Sequence, residues 1–124
     1  MCFDADALPP VPAGDRETTT RRFTLNAADG NRLLAFAATG DHPSEAGVVV
    51  LPDVRGLFAF YEQLAERFSQ VGHDAIAIDY FGRTAGVGDR PDEFPFMDHV
   101  MQTTHAGVMT DVAAAAAYLR TERP

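Results

Sequence analysis

The sequence predicts an α/β protein built around a parallel sheet, because two strands of the buried type flank one amphipathic helix. Residues 48–51, Val-Val-Val-Leu, form a continuous apolar run without polar alternation, which is typical of a strand buried on both faces. Residues 74–79, Asp-Ala-Ile-Ala-Ile-Asp, contain a second short run of this kind between two aspartates. Between them, apolar residues recur at helical spacing over residues 60–71, and Gly72 follows where a helix commonly ends. This order indicates a βαβ unit with a right-handed crossover.

A hairpin is predicted before the βαβ unit. Short strand-like runs at residues 22–25 and 32–36 are joined by Ala-Asp-Gly-Asn at residues 28–31, and Asp-Gly between two such runs is a strong hairpin signal. Residues 1–20 carry three prolines and a polar run without periodicity. We therefore expect a flexible leader over residues 1–20 and a domain over residues 21–124.

A long excursion and a final helix are predicted after the second buried strand. Residues 80–95 contain several Gly and Pro residues, and loops of this length commonly carry function. From about residue 98 to residue 120 one apolar face recurs, which predicts a helix that packs on the sheet. Gly107 is its weak point, because glycine is a poor helix former. The predicted face comprises Met101, His105, Val108, Val112, Ala115 and Leu119.

The composition disfavours several classes of function. The formal net charge is −8, from 18 acidic and 10 basic residues, which argues against binding to nucleic acid or to anionic membrane surfaces. Cys2 is the only cysteine, so an intramolecular disulfide and a cysteine metal cage are both impossible. The N-terminus has acidic residues and prolines where a secretion signal requires basic residues and an apolar run. No apolar run reaches the ~20 residues of a membrane helix, and we expect a cytoplasmic protein.

Neither a metal nor a cofactor is predicted. His42, His73, His99 and His105 lie in different predicted elements, without the paired spacing that metal sites use. His105 falls on the apolar face of the last helix, where a packed, hydrogen-bonded role is the expectation. No Gly-x-Gly-x-x-Gly follows Leu51, which argues against dinucleotide binding.

Candidate reactive residues follow each of the two buried strands. In open α/β sheets, ligands bind outside the carboxyl ends of the strands. Here those ends are Pro-Asp-Val-Arg-Gly at residues 52–56 and Asp-Tyr-Phe-Gly-Arg at residues 79–83. We expect both loops to face one crevice.

The two strands and their loops resemble the dienelactone hydrolase family of the α/β-hydrolase fold. The resemblance rests on VVVLPDVRGL at residues 48–57 and GHDAIAIDYFGRTAG at residues 72–86, and it covers roughly residues 20–120. It implies a carboxylic ester or lactone hydrolase that works by nucleophilic acyl transfer. A cysteine or serine nucleophile would lie on an elbow after the next strand, with Asp and His further on. The hairpin, the βαβ unit and the last helix match the segment before that elbow, so we expect an N-terminal portion that stops one strand short.

The resemblance assigns two candidate catalytic residues to the loop after residue 51. Val54 takes the position of the oxyanion-hole backbone N–H, and a preorganised N–H stabilises the charge that develops on a carbonyl oxygen. The alternative is a plain loop whose N–H caps the following helix. Asp53 stands where the family has a glutamate that contacts the resting thiol, and it is shorter by one methylene. A role as a loop or cap residue is its alternative.

The resemblance also implies a small substrate that bears a carboxylate. Arg83 matches the arginine that receives this carboxylate, for which the planar guanidinium is well suited. The alternative is a surface arginine paired with Asp79 or Asp89. Arg55 is a second candidate for the same crevice, although an arginine beside a helix start usually faces water.

A second interpretation of the whole chain stays open. The polypeptide would be a non-catalytic truncated product, or a half-domain that needs a partner chain. In this fold the strand at residues 48–51 would have an unpaired edge, and unpaired edges recruit other strands. We therefore expect the isolated chain to self-associate through this edge.

Overall fold

The computed structural model describes residues 4, 6–14, 16–88, 90 and 94–121. The sheet contains β1 (Thr18–Asn26), β2 (Arg32–Gly40), β3 (Gly47–Val50) and β4 (Asp74–Ile78) in the order β1-β2-β4-β3. The helices are α1 (Ala59–Gln70), α2 (Gly82–Ala85), α3 (Phe96–Gln102) and α4 (His105–Thr121). β3 is parallel to β4, while the β1–β2 and β2–β4 pairs are antiparallel. The predicted α/β class is confirmed, as a mixed sheet with helices.

The predicted hairpin is present and is longer than expected. Gly30 has φ +87° in the connecting turn, where the Ala27 N–H donates to the Asn31 carbonyl at 2.8 Å. β1 already begins at Thr18, so the last three residues of the predicted leader, residues 18–20, lie in a strand. The polar run gives no strand signal of its own, and pairing with the buried end of β2 decides its conformation. The flexibility of the remaining leader stays a prediction.

The βαβ unit is confirmed, with a difference between its two strands. Every residue of β4 is buried, as predicted for a strand covered on both faces. In β3 only Val50 is buried, and Leu51 beyond it is 47% exposed. The physical reason is position, because among the described residues β3 pairs with β4 alone and forms the edge of the sheet.

The core consists of two layers on opposite faces of the sheet. Ile76 and Ile78 of β4 pack with Ala115 and Tyr118 of α4. Ala77, which points to the other face, packs with residues that include Tyr61 of α1. This alternation follows from the two-residue period of a strand.

The single helix predicted for residues 98–120 is wrong, because the chain forms α3 and α4 with a break at residues 103–104. Thr103 is extended at φ −71° and ψ 128°, and the Thr104 Oγ1 accepts a hydrogen bond from the Gly107 N–H at 3.0 Å. Thr104 thus acts as the N-cap of α4, and Gly107 lies in its first turn. The fully buried face of α4 is Asp111, Ala115 and Tyr118. Met101 of the predicted face is 79% exposed, and His105 is exposed rather than packed.

Candidate active site

A tight turn follows β3 at the carboxyl edge of the sheet. The Gly56 N–H donates to the Asp53 carbonyl at 3.0 Å, and Gly56 has φ +74°. Val54 and Arg55 occupy the central positions of this turn. Within the part of the chain that the structure describes, the Val54 N–H donates to no other residue. We call residues 53–56 the β3 turn.

The Asp53 carboxylate is held inside the β3 turn. It accepts the Arg55 backbone N–H at 2.8 Å, the Arg55 guanidinium at 2.8–3.2 Å and the Tyr61 hydroxyl at 2.8 Å. Partial burial acts to raise the pKa of Asp53, but the hydrogen bonds from Arg55 and Tyr61 outweigh it and the pKa lies below its usual value. Asp53 is therefore an ionised, fixed anchor of the turn.

Arg55 lies against the protein surface instead of facing water. Its guanidinium carbon lies 4.3 Å from the centroid of the Phe58 ring, and its Nη2 pairs with Asp53. The hydrogen bond to Asp53 raises the pKa of Arg55 above its usual value, with burial acting in the opposite direction. Arg55 and Asp53 thus pair with each other, and the role of Arg55 in the same crevice as Arg83 stays a prediction.

Tyr61 was missed as a site residue by sequence reasoning. It belongs to the apolar stripe of α1 and gives no sign of its polar role in the pattern. Burial is the main cause of a raised pKa at Tyr61, and the hydrogen bond with Asp53 adds to it. The phenol therefore stays protonated and donates to the carboxylate.

A buried ion pair lies beside the β3 turn at the carboxyl end of β4. Asp79 and Arg90 approach to 2.7–2.8 Å, with side chains only 1% and 7% exposed respectively. Burial raises the pKa of Asp79, although the hydrogen bond from Arg90 acts against that shift. The position of Asp79 at a strand end is visible in the sequence, but nothing there identifies Arg90 as its partner.

Arg83 pairs with two carboxylates that lie outside the β3 turn. Its guanidinium pairs with Asp29 of the hairpin turn at 2.5 Å and with Asp111 of α4 at 2.7 Å. The hydrogen bonds to Asp29 and Asp111 raise the pKa of Arg83. Of the partners considered from the sequence, Asp79 binds Arg90, and Asp89 lies outside the described residues.

The described histidines do not form a metal site. No three His, Cys, Asp or Glu side chains in the described part of the chain come together in a way that could hold a metal ion. His99 instead binds the Thr84 hydroxyl through Nδ1 at 2.7 Å and stacks on Phe94 at 4.6 Å between ring centroids. Among the helices that the structure describes, none has the length and apolar character to cross a membrane.

The mixed sheet, the helices on both of its faces and the turn after a parallel strand are features of the α/β-hydrolase fold. Residues 33–124 match the model of the dienelactone hydrolase family. The chain belongs to that family. The fold and family predicted from the sequence are thereby confirmed.

Known relatives extend well beyond the part that this chain matches. The carboxymethylenebutenolidase of Rhodococcus opacus is 29% identical over 90 residues, which cover 72% of this chain and 33% of the relative. A candidate dienelactone hydrolase from Klebsiella pneumoniae subsp. pneumoniae MGH 78578 superposes with a TM-score of 0.69 and 19% identity, covering 86% of this chain and 45% of that structure. A dienelactone hydrolase-like promiscuous phosphotriesterase from metagenomic libraries gives a TM-score of 0.65 and 20% identity, covering 85% and 44%. The chain thus spans between a third and a half of these relatives.

Proposed function

We propose that this chain supplies the oxyanion turn of a hydrolase that cleaves small carboxylic esters or lactones by nucleophilic acyl transfer in the complete protein. The observation that carries the proposal is the Val54 N–H, which lies in a tight turn at the carboxyl edge of the sheet and donates to no other described residue. Family membership supports the reaction class. The resemblance implies that a cysteine or serine nucleophile, with Asp and His, completes the site.

The proposed reaction uses the nucleophile that the resemblance implies and the Val54 N–H that this chain supplies. The nucleophile attacks the carbonyl carbon and the bond to the leaving alcohol oxygen breaks, which gives an acyl-enzyme that water then hydrolyses. As the nucleophile attacks, negative charge develops on the carbonyl oxygen. The Val54 N–H would donate to this oxygen without reorganisation, because the turn already fixes its direction.

Asp53 would act by holding the β3 turn. Its carboxylate is satisfied by Arg55 and Tyr61, so a stable turn geometry is its best-supported contribution. Arg55 is assigned to the same task, because it pairs with Asp53 and stacks on Phe58. A direct contact between Asp53 and a thiol would require this arrangement to open.

Arg83 remains the proposed receptor for a substrate carboxylate. Of its two partners, Asp111 is buried and Asp29 is 47% exposed in its side chain. Exposed ion pairs contribute little stability, so a substrate carboxylate would replace Asp29 more readily than Asp111. The proposed substrates are therefore small esters or lactones that carry a carboxylate.

The direct test removes the Val54 N–H. Val54→Pro deletes this donor, while proline is well accepted at the second position of a tight turn. In the complete protein, we expect kcat on an activated ester such as p-nitrophenyl acetate to fall about 10²–10³-fold. Val54→Ala is the matched control, since it keeps the N–H and should stay close to wild type. An unchanged kcat in a folded Val54→Pro protein would remove Val54 from the mechanism.

The rival proposal is a non-catalytic polypeptide that works with a partner chain. The outer edge of β3 has no strand beside it in the described part of the chain, which favours pairing with a second strand. Sequencing the locus beyond the codon for Pro124 separates the two. A reading frame that continues into an apolar strand and Gly-x-(Cys/Ser)-x-Gly supports the hydrolase. An immediate stop codon supports the rival, for which we expect no esterase activity and association of the isolated chain in sedimentation.

A further inference from the structure

The buried Asp79–Arg90 pair touches the backbone of the β3 turn. Gly56 has no side chain, and a Cβ placed on it would collide with the Arg90 guanidinium. The same Cβ would lie 3.1 Å from the carboxylate carbon and Oδ2 of Asp79. The ion pair therefore occupies the space beside Gly56, which is two residues from the N–H of Val54.

Both members of the pair are withdrawn from water, so each depends on the other. A buried charge that loses its partner is strongly destabilising, because its desolvation is no longer compensated. Asp79 is fixed to the end of β4, and Arg90 also lies 5.0 Å from the Phe94 ring centroid. The pair is thus held from two sides and presents a rigid surface to Gly56.

We propose that Asp79 and Arg90 are positioning residues for the oxyanion turn, which fix the direction of the Val54 N–H by supporting Gly56. This inference rests on the proposed function and adds two residues that do not touch the substrate. Misplacement of a catalytic group by about 1 Å can lower a rate about 10²-fold, so support of this kind matters for catalysis. Gly30 has no comparable contact, because a Cβ at that position would meet nothing within 4 Å.

The test compares alanine at two glycines of similar conformation. Gly56→Ala and Gly30→Ala introduce the same methyl group at φ +74° and +87°, so both carry left-handed strain. Only Gly56→Ala also presses on the ion pair. In the complete protein we expect Gly56→Ala to lower kcat on p-nitrophenyl acetate about tenfold or more with little change in KM, and Gly30→Ala to leave both near wild type.

A second readout does not depend on catalysis. Arg90→Lys keeps the charge but loses the planar fork, and hydrogen exchange followed by mass spectrometry reports on the turn directly. We expect the backbone amides of residues 53–57 to exchange faster than in the wild type, while amide exchange in β2 and α4 stays unchanged. Equal loss of protection in all three regions, or unchanged exchange in the turn, would overturn the positioning role. If the wild-type protein lacks esterase activity, the proposed function fails while the exchange measurement still decides whether the pair supports the turn.

Discussion

Arg83 and Arg90 both follow β4, yet the structure uses them in opposite ways. Arg83 reaches the exposed Asp29 and the buried Asp111, and so ties α2 to the hairpin turn and to α4. Arg90 is almost fully buried against Asp79 and lies beside the β3 turn. Arg83, the candidate from the sequence, thus has one partner that a substrate could replace. Arg90, which was not a candidate, supports the backbone of the β3 turn. Both arginines pair with a buried carboxylate, and the difference is that Arg83 also pairs with an exposed one, Asp29.

The largest effect is expected when Arg90 loses its charge. Arg90→Gln leaves Asp79 as an uncompensated buried carboxylate, and we expect a loss of about 3–5 kcal/mol in the free energy of unfolding. The loss should shrink at lower pH, because Asp79 then accepts a proton. Urea unfolding at two pH values measures this. Arg22→Gln is the control, since the Arg22–Glu62 pair is much more exposed and should contribute about 1 kcal/mol or less. Equal losses for the two variants would mean that burial does not distinguish these arginines.

Substitutions of Arg83 and of Asp29 are expected to change KM in opposite directions. Arg83→Gln should raise KM for a carboxylate-bearing ester about tenfold or more, which corresponds to one charged hydrogen bond. Asp29→Asn should lower that KM, because it removes the carboxylate that competes for the guanidinium. Neither variant should change KM for a neutral ester of similar size. If KM rises equally for both esters, Arg83 serves the structure and not the substrate.

The smallest expected effect is a difference in pH dependence between Asp29 and Asp79. The hydrogen bond from Arg83 lowers the pKa of Asp29, so its contribution to stability is present above the unfolded pKa and is lost as the pH falls through the folded pKa. Burial raises the pKa of Asp79, so its contribution is present at low pH and is lost as the pH rises through its folded pKa. Urea midpoints measured from pH 3 to pH 7 should therefore change with opposite slope in Asp29→Asn and Asp79→Asn. The same slope change in both would contradict the assigned directions.

The fold was largely predictable from the sequence, and the break between α3 and α4 shows where such prediction fails. Strand runs and Asp-Gly signals are local, so the hairpin and the βαβ unit could be predicted. The apolar period continues from Met101 to His105 and Val108 across the break, so periodicity alone hides it. Thr104 as an N-cap was the one local signal of a new helix start, and it lacks the Glu or Gln three residues later that strengthens such a signal.

The candidate site was predictable in its location and not in its partners. The end of the first buried strand places Asp53, Val54 and Arg55 at the carboxyl edge of the sheet from the sequence alone. Tyr61 and Arg90 could not be found in this way, because their roles depend on which carboxylate the folded chain brings near them. The same reason explains why the partners of Arg83 differ from those expected.

The charged start of β4 has a consequence for how the sheet is assembled. The Asp74 carboxylate accepts the Gly40 N–H at 3.1 Å from the end of β2 and the Arg16 guanidinium at 2.8 Å. A slip of one residue between strands would turn every side chain to the opposite face. Ile76 and Ile78 would then meet α1, in a space that alanines now fill, while α4 would lose its apolar partners. The polar contacts of Asp74 at the start of β4 thus favour the one register in which the isoleucines of the strand face α4 and its alanines face α1.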